Sequence, residues 1–162
     1  MAMAVANLER RAKAGASNFY WIAGLSVLNS VISAFNGGVA FVVGLGITQF
    51  VDAIAGIAAE QAPEITLVIR VAGLAVSVVM AGVFVVFGFF GARQHRWAFI
   101  TGMVLYGLDA LLLLFFKDWL GFGFHLYFMW GLFNGLKALD QLRKIKPAQT
   151  IPVSDFPQDI GG

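Results

Sequence analysis

Cysteine is absent from this 162-residue chain, charge is scarce, and proline is nearly missing from its apolar stretches. Without cysteine there is no disulfide, no thiolate nucleophile and no cysteine-type metal site. Charged residues make up 12% of the chain. A soluble domain averages about 25%, because charge must cover its exterior. Only Pro63 falls among the apolar runs; Pro147, Pro152 and Pro157 all lie near the C-terminus. Catalytic signatures are missing too. There is no HExxH or Walker motif and no G-x-S-x-G elbow, and two histidines without cysteines give no zinc pattern. No basic stripe interleaved with aromatics points to nucleic acid. The chain is therefore expected to be no enzyme and to carry no cofactor or metal.

What is present is apolar: hydrophobic residues make up 59% of the sequence. They gather in five runs, at 18–35, 39–58, 65–91, 97–116 and 119–136. A helix needs roughly 20 apolar residues to span a bilayer. Globular strands are mostly about 3–10 residues long, and outer-membrane strands alternate in polarity, so these runs read as helices. The expected fold class is an all-α polytopic helical membrane protein of one domain. Residues 1–17 form a polar arm at the interface, 18–138 the transmembrane bundle, and 139–162 a basic and then proline-containing tail. Asn36-Gly37-Gly38 supplies a tight turn after the first run, because glycine tolerates the positive φ that such turns require. Lys117-Asp118 is a second polar turn, and Pro63 is placed to start a helix. Gly131 and Gly135 form a small-xxx-small pair suited to close helix packing. A faint internal echo links 40–53 with 98–110, a pattern that transporter repeats also produce.

Lysine and arginine collect on the cytoplasmic side of membrane proteins. With five spans, Arg10, Arg11, Lys13 and Lys117 share one side. Arg93, Arg96, Lys137, Arg143, Lys144 and Lys146 share the other, and this majority puts the C-terminus in the cytoplasm. If one of the first two runs re-enters instead, four spans remain and all three basic clusters face inward.

Asp52, Arg70, Asp109 and His125 sit well inside the runs. Ionisable groups at such depth are costly, and they are paired or functional by default. Asp52 and Arg70 lie six residues from the loop between their helices, about 9 Å, and are expected to pair. Asp109 and His125 lie about 10 Å and 9 Å from the Lys117-Asp118 turn. Tyr106 shares a helix face with Asp109. In the five-span reading the four ionisable side chains reach one level. They either lock helix packing or form a polar cavity that binds a small ligand or relays protons. The expected function is a small accessory or regulatory subunit of a membrane assembly. The alternative is an oligomeric transporter or channel that uses this polar level. The expected partners are the lipid bilayer and other membrane subunits or further copies of the chain.

Overall fold

The computed structural model describes residues 2–35 and 45–149, with side chains up to residue 145. Among these residues the chain is all-α and has no strand. The helices are α1 (Ala2–Ala34), α2 (Gly46–Gln61), α3 (Thr66–Ala92, preceded by a 3-10 turn at Pro63–Ile65), α4 (Arg96–Phe115) and α5 (Trp119–Gln149). The expected Asn36-Gly37-Gly38 turn and the start of the second run lie outside the described residues.

Among the described residues two stretches, Pro63–Ala92 and Arg96–Phe115, are long and apolar enough to cross a membrane. The other three helices fall short for identifiable reasons. α2 has only 16 residues, about 24 Å at 1.5 Å per residue. In α1, Ser26, Asn29, Ser30 and Ser33 dilute the apolar stretch. In α5, glycines and the half-polar His125, Tyr127 and Trp130 do the same. The polar arm expected at 1–17 is continuous with the first run, and together they make one 33-residue helix. α5 likewise runs unbroken to Gln149, past the expected end of its run at 136.

Side-chain pairs fix the helix directions. Ala16 faces Gly91 and Tyr20 faces Gly88, so α1 and α3 are antiparallel. Gly15 meets Gly135 and Asn18 meets Gly131, so α1 and α5 are antiparallel too. The Gly131/Gly135 pair is therefore used inside the chain. A Cβ on Gly135 would lie 2.6 Å from the Gly15 Cα, closer than real contacts allow. Ala55 against Gly73 and Asp52 against Ser77 make α2 antiparallel to α3. It follows that α1 and α2 point the same way. Ser26 bonds Leu45 and, further along both helices, Ser30 bonds Asp52. This corrects the expectation of an antiparallel hairpin. The start of α2 sits beside Ser26, eight residues before the end of α1, about 12 Å back along it.

Both well-defined turns end a helix in the same way. At Gln94 (φ 66°) and Lys117 (φ 60°) the backbone is left-handed. The N–H groups of His95 and Asp118 reach back to Phe90 O and Leu113 O, closing Schellman motifs. Asp118 then caps α5 by accepting from Gly121 N–H at 2.9 Å. These directions bring Arg10, Arg11 and Lys13 to one end of the bundle, beside Arg93 and Arg96 and beside Lys137, Arg143 and Lys144. Arg96 joins Asp140 there at 2.9 Å.

The core is aromatic and small-residue. Phe19 sits among Phe84, Phe87 and Phe99 with ring centroids 5.9–6.3 Å apart. It fits because Gly102 offers no side chain: a Cβ there would lie 2.5 Å from the Phe19 ring. Large apolar side chains are exposed over much of the surface, and several small polar ones are buried. Leu67, Val79, Phe115 and Trp130 are each more than 60% exposed, while Ser26, Ser30, Ser77, Thr48 and His125 are buried. A monomer in water rarely shows so much contiguous apolar surface.

Candidate functional site

The buried polar residues form two clusters, and α2 connects them. The first is built around the start of α2. A helix leaves its first N–H groups without partners, and Leu45, at the cap position, has no polar side chain to offer. The neighbouring helices provide the acceptors. Asp109 of α4 accepts from Gly46 N–H at 2.7 Å through Oδ2 and from Ile47 N–H at 2.8 Å through Oδ1. Ser26 of α1 accepts from Leu45 N–H at 2.7 Å and donates to Ile22 O at 2.8 Å. Gly46 is required for the approach of α4, because a Cβ would meet the Leu113 side chain at 2.8 Å. Thr48 adds a bond to Leu45 O at 2.8 Å.

His125 of α5 completes this cluster. Its Nε2 lies 2.8 Å from Asp109 Oδ2 and its Nδ1 lies 2.9 Å from Gly121 O. A carbonyl only accepts, so Nδ1 carries a proton and donates to it. One further proton then lies between Nε2 and Oδ2, on one atom or the other. Tyr106 stacks on the imidazole, with centroids 4.2 Å apart and planes 17° apart, and Phe84 meets Tyr106 edge-on. Asp109 and His125 are 8% and 1% exposed, so this proton is held deep in the protein.

The second cluster surrounds Asp52, six residues beyond Gly46, about 9 Å along α2. Ser30 donates to Asp52 Oδ2 at 2.6 Å and Ser77 donates to Oδ1 at 3.1 Å. Arg70 donates to Ala34 O at 3.1 Å, at the C-terminus of α1 where helix carbonyls lack partners. Asp52 and Arg70 line a common cavity of about 40 Å³ together with Ser33, Ala34, Ala55 and Gly56. Asn29 of α1 and Gln49 of α2, each one turn or less from these groups in sequence, bury Oδ1 and Nε2 without a hydrogen-bond partner.

Of the five residues singled out in the sequence, Asp109, His125 and Tyr106 come together. Asp52 and Arg70 meet elsewhere. The single level becomes two, because α2 starts in the interior instead of crossing it. Sequence reasoning set Ser26 and Ser30 aside because no histidine pairs with them by spacing, and it missed Ser77 and the backbone donors of Gly46 and Ile47. Ser26, Asn29, Ser30 and Ser33 do recur at helical spacing on one face of α1, and that periodicity was the available signal. Among the described residues, no group of three or more histidine, aspartate or glutamate side chains is arranged to hold a metal ion. No protein-family model, no curated protein and no solved structure matches the chain.

Proposed function

We propose that the chain is a multi-pass membrane protein that crosses the bilayer through α1, α3, α4 and α5. In this reading α2 re-enters to mid-depth, and the polar interior carries protons or a small polar solute. Several features support the membrane part. α1 and α5 have 33 and 31 residues, about 50 and 46 Å of helix. Many large apolar side chains are exposed, while Ser26, Ser30, Thr48, Ser77 and His125 are buried. All three basic clusters share one end, which the positive-inside rule puts in the cytoplasm together with both termini. Irregular or broken helices at membrane depth are tolerated where protein buries them or where they line a cavity. Transporters place such half-helix ends near the midplane, at their binding sites.

The observation that carries the transport reading is the buried contact between Asp109 Oδ2 and His125 Nε2, 2.8 Å apart, where α2 begins. Moving the proton between them changes the charge that α2's first N–H groups face, so protonation and the seating of α2 are coupled. Asp52, Ser30 and Ser77, with the unpartnered amides of Asn29 and Gln49, continue polar ground toward the opposite end of the bundle. The test is proton or solute flux into liposomes with a pH dye trapped inside. Flux is expected from the intact protein, at least about tenfold slower in His125→Gln and reduced in Asp52→Asn. Absence of flux from correctly inserted protein rejects the reading.

A second reading, the accessory subunit or homo-oligomer, draws on α5. Tyr127 and Trp130 are 64% and 66% exposed, one turn or so from the buried His125. Tyrosine and tryptophan favour the membrane surface over its centre. Outward-facing polar tips at that depth suit a contacting helix. Native mass in mild detergent separates the two: fixed-ratio co-purification with other subunits supports this second reading.

A further inference from the structure

A cavity of about 300 Å³ opens on the outer face of the bundle between α2, α3 and α4. Its wall is Leu45, Ile47, Met80, Val83, Phe84, Leu105, Leu108 and Leu112, with one ionisable residue, Asp109. Val83, Leu105 and Leu108 at its mouth are 39–59% exposed, so in a bilayer it opens to lipid rather than to water. Asp109 brings a polar group to the inner wall. A carboxylate has about four acceptor positions, and three are used here, by Gly46, Ile47 and His125. Oδ2 has two of these partners and Oδ1 only Ile47. Ile47 lines the cavity, while Gly46 and His125 do not. Oδ1 therefore has the spare capacity, and its one partner, Ile47, belongs to the cavity wall.

The geometry points to a binding site for a small lipophilic molecule that carries an N–H or O–H donor, an amine or an alcohol. It would enter from the bilayer, lay its apolar body against the leucines and valines, and donate to Asp109 Oδ1. The volume holds roughly ten water-sized groups, which suits a chain of eight carbons and a head. A carboxylate head has no donor to offer, and a pure hydrocarbon likewise leaves the fourth acceptor position of Asp109 empty. The inference rests on the bilayer reading above. Binding is nevertheless measured separately from flux, so either result can fail while the other stands.

The test uses the full chain in lipid nanodiscs and follows its melting temperature with octylamine, octanol, nonane and octanoate. Octylamine or octanol should raise it saturably, at concentrations about tenfold below any effect of nonane, the ratio one hydrogen bond to a charged group provides. Protection by the amine alone assigns an ammonium head; equal protection by the alcohol assigns a neutral donor. Leu105→Trp fills the cavity without touching the bonds of Asp109 and should abolish protection. Leu108→Trp replaces it if that variant does not fold. Equal protection by nonane or octanoate, or protection that survives the filled cavity, overturns the proposal.

Discussion

Asp109 and Asp52 are both carboxylates on helices of the same bundle; Asp109 binds the start of α2, Asp52 sits about 9 Å further along it, and they are held in opposite ways. Asp109 takes two backbone N–H groups of a helix start and a histidine on which Tyr106 stacks. Asp52 takes two serine hydroxyls beside a small cavity it shares with Arg70. Backbone donors at a helix start have no alternative partner once buried, whereas a serine can turn back to its own helix carbonyl. The first cluster therefore holds the architecture and the second is free to change partners. One bundle thus contains a fixed polar joint and an adaptable polar site.

The largest expected effect breaks the joint. Asp109→Ala should lower stability by about 3–5 kcal/mol in detergent unfolding, because it strands two N–H groups and His125. Asp52→Ala should cost only about 1 kcal/mol, in line with hydrogen bonds inside membrane proteins. Equal losses would erase the distinction. Next in size is a pair of double-mutant cycles. Asp109→Ala with His125→Ala should show coupling of about 1 kcal/mol or more, while Asp109→Ala with Asp52→Ala should add within about 0.5 kcal/mol. Strong coupling in the second cycle would restore the single polar level. The smallest effect sharpens the comparison from within the adaptable site. Asn29→Leu removes a buried acceptor that has no partner. It should leave stability unchanged or raise it by up to about 1 kcal/mol, while slowing flux.

How much of this was legible beforehand follows the kind of signal each element carries. The run read at 65–91 is α3, Thr66–Ala92, and that at 97–116 is α4, Arg96–Phe115. Continuous apolarity marks both ends of such helices. The Lys117-Asp118 turn was also legible, since a polar pair between two apolar runs has no other use. α2 was not. A run of apolar residues from 39 reads as a full crossing, and hydropathy carries no direction. The reversal of α2 depends on Asp109 and Ser26, from two other helices, reaching its first N–H groups. The long α1 was missed because Arg10, Arg11 and Lys13 look like an arm. Ala12, Gly15 and Ala16 on the opposite face are buried, with Gly15 against Gly135 of α5 and Ala16 against Gly91 of α3.

Composition and run length alone determined the helical class, the apolar exterior and the short roster of residues on which chemistry depends. Helix formation and apolarity are local properties, written residue by residue into the chain. Which way each helix points, and which carboxylate meets which donor, was decided by the folded bundle. A hydrogen bond needs two groups within about 3 Å, and only tertiary packing brings residue 109 to residue 46.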